Sequence, residues 1–198
     1  MAVSPSGFRA VRHLSGNNTF RTETFIADDN NPKPIFIGHA VVLSSGRVVE
    51  HTSTGNGPIL GVVKACYTGT KNRPRTFSLP DNGPYIPAST RGYVEVITDP
   101  DVIFEVVANS GLGADDFGQL GEIVATGSGN PKTGQSRMEM STTTFAAQTS
   151  INNQTLPFRI IGLARSEETP IGQGFASGNA TRIEVIINNH VFRQSTPV

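Results

Sequence analysis

The stretch YVEVITDPDVIFEV, residues 93–106, alternates apolar and polar side chains on either side of the turn-forming sequence TDPD. Period-two alternation rich in Val, Ile and Phe is the mark of a strand with one buried face. Within TDPD, Pro100 presets φ near −65° between two aspartates, so residues 98–101 are expected to join the two runs as a hairpin. A second hairpin is expected at SSGR, 44–47, where Gly46 supplies positive φ between Val41-Val42-Leu43 and Val48-Val49. Similar runs give candidate strands at 20–26, 34–43, 47–51, 59–67, 93–98, 102–108, 122–126, 137–140, 157–165 and 182–192. No segment carries a sustained i, i+3, i+4, i+7 stripe. The best helix candidate is 114–120, where Asp115 and Asp116 suit the positive end of a helical turn. Antiparallel connections without βαβ spacing predict an all-β fold: an antiparallel sandwich or barrel with long loops, an extended N-terminal arm and little helix.

Composition narrows the function classes. Lys+Arg and Asp+Glu stand at 16 each in 198 residues, so the formal net charge is zero. Nucleic acid and anionic membranes both reward a basic excess, and neither is expected as a partner. Charged residues make up 16% of the chain, below the roughly 25% of ordinary domains, while Gly and Pro number 21 and 13. Short elements, long loops and surface covered by partners follow from that balance. The single Cys66 cannot close an internal disulfide. Residues 1–15 carry Arg9, Arg12 and His13 without an apolar run, so no signal peptide is expected, and the sequons at Asn17, Asn153 and Asn179 are taken as chance matches.

Three stretches do not suit a self-contained monomer. Residues 1–19 are polar and form an expected arm ahead of one β-rich domain, 20–198. Loops 68–91 and 127–155 are longer than compact domains usually carry without a purpose. Each holds isolated large apolar residues, among them Phe8 and Leu14, Phe77 and Tyr85, Phe145 and Ile151. Contact with neighbouring subunits or a partner would account for them; flexible loops on a monomer are the alternative.

Motifs with chemistry fail on their own requirements. GSGNPKTGQS, 127–136, lacks both glycines of a phosphate loop: Pro131 and Thr126 occupy those positions. NSGLGADDFG, 109–118, has Asp116 where a dinucleotide fold needs Gly. His13, His39, His51 and His190 include no i, i+2 or i, i+4 pair, and the acidic pairs lack calcium-loop spacing. No Gly-x-Ser-x-Gly elbow occurs. In strict alternation Cys66 falls on the Val62/Lys64 face as a small buried hydrophobe. KNRPR, 71–75, is a cationic loop that suits either an acidic partner or solvent. No catalytic residue, metal ligand or cofactor is therefore nominated.

The segments GFRAVRHLSG (7–16), PILGVV (58–63), YVEVITDPDVIFEV (93–106), LPFRIIGL (156–163) and IEVIINNHVFR (183–193), in this order and spacing, resemble the head decoration, or cement, proteins of tailed bacteriophages. The resemblance spans nearly the whole chain outside the two long loops. It implies a mostly β homotrimer on the exterior of the capsid, assembled in the host cytoplasm, with the major capsid protein as partner. On that view Phe8, Arg9, Arg12, His13 and Phe20 form part of the capsid grip, with Phe8 anchored in a groove and the arginines on carboxylates. Phe77, Tyr85, Phe145, Asn188, Asn189 and His190 are then candidates for the subunit interface. A tail, baseplate or head-fibre component is the alternative, and a glycan-binding β module or β-fold enzyme a further one. Glycan sites usually use exposed aromatics, and Trp is absent here.

The last apolar run, IEVIINNHVF at 183–192, is interrupted by Asn188-Asn189-His190. Alternation puts Asn189 on the apolar face. A buried amide needs partners, so either a bulge shifts the register or a side-chain amide pins a neighbouring loop.

Overall fold

A computed structural model describes residues 6–16, 19–27, 30–52, 58–67, 84–109, 112, 114–124, 129–141, 156–164 and 181–193. The expected all-β class holds. Five strands close a barrel in the order β2 (Thr22–Ala27), β4 (Arg47–Glu50), β3 (Ala40–Ser44), β5 (Ile59–Tyr67) and β6 (Gly92–Ile97). A seven-stranded sheet runs β8 (Leu120–Gly121), β13 (Phe158–Leu163), β14 (Thr181–Ile187), β7 (Val102–Ala108), β12 (Glu139–Met140) and β9 (Ile123–Val124), with β1 (Arg9–His13) also paired to β7. A two-stranded ribbon, β10 (Gly129–Asn130) and β11 (Gln135–Ser136), completes the strands among the described residues.

Two cores explain the long apolar runs. One fills the barrel with Ala27, Val41, Val48, Leu60, Val63, Cys66, Val94 and Val96. The other lies between barrel and sheet, where Val42, Ile59, Val62 and Ile97 meet Val102, Phe104, Val106, Ile183, Val185 and Ile187. Strand β5 serves both cores, and so most of its residues are buried.

SSGR forms the expected hairpin. Ser44 pairs with Arg47, and Ser45 and Gly46 both take positive φ, 50° and 76°. Two consecutive left-handed residues match the strand twist and need a residue without Cβ strain at the second position.

TDPD does not form a hairpin. β6 pairs with β2 and β5 in the barrel, whereas β7 pairs with β14, β1 and β12 in the sheet. Asp99 Oδ1 accepts the Asp101 N–H at 3.1 Å, so the aspartate closes a local turn without strand pairing. The chain turns a corner from one layer to the other because Ile97 and Val102 both enter the inter-layer core.

Other expectations shift for physical reasons. The N-terminal segment is not a free arm over residues 9–13, which form β1 against β7. The helix expected at 114–120 is one 3-10 turn, Ala114–Asp116. In the run 34–43 only Ala40 onward is regular strand; Ile35 and Ile37 make isolated bridges. The run at 122–126 narrows to β9, the run at 137–140 to β12, and the run ending at Phe192 stops at Ile187. A register shift between Val63 and Ala65 moves Cys66 from the Val62/Lys64 face into the barrel beside Val63. Burial then pushes the Cys66 thiol up to about 12.

Candidate interaction surface

Glu105 and Glu184 lie side by side as a cross-strand pair on β7 and β14, both almost fully buried and with apolar neighbours along each strand. Two adjacent carboxylates in that setting require cations. Arg9 and Arg182 each reach Glu105 at 3.1 Å, and Arg12 reaches Glu184. A bulge at Val11 makes this possible. The pairing passes from Ala10↔Phe104 to Arg12↔Ile103, so Arg9 and Arg12 share the Glu105 face despite a spacing of three. Three guanidiniums on two carboxylates leave one positive charge in excess, and Arg9, 63% exposed, carries it outward.

Phe8 is not a groove anchor for a partner. It is 3% exposed, its ring stacks on Phe158 at 4.5 Å, and its N–H donates to Gly38 O at 2.9 Å. Phe20 packs partly buried against the same inter-layer core. A cavity of about 640 Å³ runs between β1 and the barrel, lined among the described residues by Phe8, Arg9, Phe20, Val62, Lys64 and Arg182.

His13 lies at the end of β1, beside the TDPD corner. Its Nε2 meets Asp99 Oδ1 at 3.2 Å and its Nδ1 meets Ser15 Oγ at 2.7 Å. The Leu14 N–H donates to Asp101 O at 2.9 Å, and Arg193 pairs with the Asp101 carboxylate. His13, Asp99 and Asp101 bring ligand atoms within 4.8 Å of one another. Each is already engaged by these partners, and the cluster is best described as a tied corner. The Arg21 guanidinium sits 5.1 Å from the Phe192 ring centre. Leu14 and Phe192, 54% and 47% exposed, are two of the three large apolar side chains exposed among the described residues.

Asn188, Asn189 and His190 act within the chain. The Asn188 Nδ2 donates to Leu156 O at 3.1 Å, its Oδ1 accepts from Arg159 at 3.0 Å, and both asparagine N–H groups point at Pro157 O. Of the two expected solutions, the pinned loop is the one present, and Asn188 rather than Asn189 does it. Asn189 is not buried; its carbonyl accepts the Ile59 N–H at 2.8 Å and fastens the sheet to β5. His190 is fully buried, and its Nδ1 accepts the Phe192 N–H at 3.0 Å. Burial holds this imidazole at about 4, with the Asp99 charge pulling it up and Arg21 pushing it down.

Tyr85 stacks on Phe36 at 4.6 Å. Phe77, Phe145 and the KNRPR loop lie outside the described residues. GSGNPKTGQS from residue 129 onward is the β10–β11 ribbon, bonded to Ile37 through Gly134 O and Ser136 N.

The carboxylates that organise this surface, Glu105 and Glu184, were not nominated from sequence. Their signal was a lone Glu inside each apolar run, VIFEVVA and TRIEVII, while Arg9 and Arg12 were expected on carboxylates of a partner and not on these. Compared with known proteins, the chain matches no family model, no curated protein and no solved structure.

Proposed function

We propose that this chain is a structural virion protein of the decoration, or cement, type. It binds the exterior of a tailed-phage capsid as a homotrimer, with the major capsid protein as partner, and stabilises the expanded shell without touching nucleic acid or membrane. The observation that carries this is the corner where Leu14 and Phe192 stand exposed between the ion-paired Arg193 and Asp101 and the stacked Arg21. Exposed apolar side chains ringed by polar groups favour a protein contact over solvent. The resemblance in sequence runs through the same segments, 7–16, 93–106 and 183–193.

The mechanism is linkage. A protein that binds only the expanded shell stabilises that state by its binding free energy. A trimer touching several capsid subunits gains avidity from weak single contacts. The Arg9–Glu105–Arg182 and Arg12–Glu184 pairs keep the N-terminal segment rigid, so little ordering entropy is lost on binding.

The test is the solution mass of the purified protein followed by sedimentation with expanded and unexpanded heads. A trimer that binds expanded heads is expected, with Leu14→Ser plus Phe192→Ser weakening binding at least tenfold, since each buried apolar side chain is worth about 1.5–3 kcal/mol. A stable monomer that ignores both heads would remove the proposal. Label confined to the tail in electron micrographs of virions would replace it with a tail or baseplate role.

A further inference from the structure

The groove of about 640 Å³ between β1 and the barrel carries charge of one sign. Arg9, Lys64 and Arg182 line it, and no acidic residue does among the described residues. Outside the lining, Glu105 takes Arg9 and Arg182, and Glu95 takes Lys64 at 2.9 Å. Three cations thus meet two carboxylates, and one positive charge is left over where Arg9 and Lys64 stand 63% and 54% exposed. A guanidinium has five N–H donors and an ammonium three, so both can take a further carboxylate oxygen without giving up the ones they hold.

The complement lies on the same chain. The 3-10 turn Ala114–Asp116 carries Asp115 and Asp116 and no basic residue. Asp115 is exposed. Gln119 Nε2 donates to its backbone carbonyl at 2.8 Å, and its carboxylate has no partner among the described residues. Turn and groove stand at opposite margins of the seven-stranded sheet. The turn leads into β8, the outermost strand, and β13, β14 and β7 follow inward. Residues 103–105 of β7 pair with β14 and with β1 at once, so β1 lies across β7 from β14 and from the turn.

We propose that the groove at β1 receives the Ala114–Asp116 turn of a second copy of this chain, with the Asp115 carboxylate on Arg9 and Lys64. Complementary surfaces at opposite margins of one sheet make a heterologous contact, in which the turn of each copy meets the groove of the next. Such a contact closes into a ring when the rotation between copies allows. The proposal rests on the homotrimer of the decoration reading for the number of copies, and adds the contact that joins them. The half-buried Ala10, Phe20 and Ile37 lose their remaining water when the groove is filled, which strengthens the charge pairs beside them. An acidic segment of a different protein offers the same charge and is the competing occupant.

The experiment measures the purified full chain by native mass spectrometry and sedimentation over a dilution series. One closed oligomer is expected. Asp115→Lys reverses the charge offered to the groove, at a carboxylate with no partner to lose, and should raise the dissociation constant at least tenfold. Gln135→Trp, at an exposed lining position, should do the same by bulk. Lys64→Glu should also weaken assembly, and joining it to Asp115→Lys should restore it, a recovery that misfolding does not produce. Carbodiimide treatment of mixed isotope-labelled and unlabelled chains should link Lys64 of one copy to Asp115 of another. An oligomer indifferent to Asp115→Lys and Gln135→Trp overturns this contact and leaves the decoration proposal standing. An oligomer held by this contact that ignores capsid heads overturns only the decoration proposal. A stable monomer overturns both.

Discussion

Replacing Phe8 with alanine separates a docked N-terminal segment from a free arm. The ring is 3% exposed and packs in the inter-layer core, stacked on Phe158 at 4.5 Å with an interplanar angle of 17°. Truncating a buried Phe costs about 3–5 kcal/mol through lost transfer energy and the cavity left behind. The stacked pair accounts for about 0.5–1.5 kcal/mol of that. Little collapse is available to soften the loss, because the backbone on both sides is fixed. Gly7 holds φ at 69° with Ser136 Cβ and Gly38 O close to where a Cβ would sit, and β1 pairs with β7 from Arg9 onward. A cost of about 4 kcal/mol is therefore expected. With a urea m-value of roughly 2–3 kcal/mol/M for a chain of this size, the midpoint should fall by about 1.3–2 M. Far-UV circular dichroism across a urea series measures this, with m compared to confirm that only stability changed. Phe8→Leu should recover much of the loss, because it refills most of the cavity. A midpoint shift below about 0.3 M for Phe8→Ala, the size of an ordinary surface substitution, would refute the docked placement and return residues 1–19 to the status of an arm.

Other perturbations follow from the same geometry. His190 is held neutral at about 4 against an ordinary 6.5, so the unfolded chain takes up its proton first as pH falls; stability should drop by about 3 kcal/mol between pH 6.5 and 4 and no further through this group. His190→Asn, whose Oδ1 can still accept the Phe192 N–H, should flatten that part of the urea-midpoint profile, and an unchanged slope would show that His190 is not its source. Glu105→Ala leaves the largely buried Arg182 without its carboxylate and should cost about 3–5 kcal/mol, whereas the exposed partner change Arg9→Ala should cost under about 1 kcal/mol; equal effects would contradict the asymmetry of burial. Asn188→Ala removes hydrogen bonds to Leu156 and Arg159 and should cost about 1–3 kcal/mol in thermal unfolding; an unchanged midpoint would show that this amide does not pin the loop.

The strands were legible in sequence because period-two alternation is local. Runs 59–67 and 102–108 were located with their observed ends. What alternation cannot supply is the partner of each strand. TDPD has the chemistry of a turn in either a hairpin or a corner, and the choice rests on Ile97 and Val102 sharing the inter-layer core, a contact among residues far apart in the chain. Bulges defeat parity in the same way: the shift after Val63 reverses the face of Cys66, and the one at Val11 sets Arg9 and Arg12 on one face. β1 went unseen because RAVRH is short and weakly apolar, and its stabilising partners, Glu105 and Glu184, come from distant runs.

Three places where alternation stops, the end of the N-terminal segment, the TDPD turn and the Asn-Asn-His interruption, meet in the fold. The end of the N-terminal segment supplies His13 and Leu14, the TDPD corner supplies Asp99 and Asp101, and the chain after the Asn-Asn-His interruption supplies Phe192 and Arg193. Asp101 joins all three, accepting the Leu14 N–H through its carbonyl and Arg193 through its carboxylate. Buried alternation forces the strands into two packed layers and leaves no freedom there for other chemistry. Segments released from alternation are free to carry exposed apolar and charged groups, and here they converge on one corner. Local departures from pattern that meet in space are where a functional surface is expected. Removing one tie should therefore disturb the others: Asp101→Ala frees Arg193 and, by loosening the corner that holds the Leu14 N–H, should raise hydrogen exchange at Leu14 while exchange at Val106 and Val185 in the sheet stays slow.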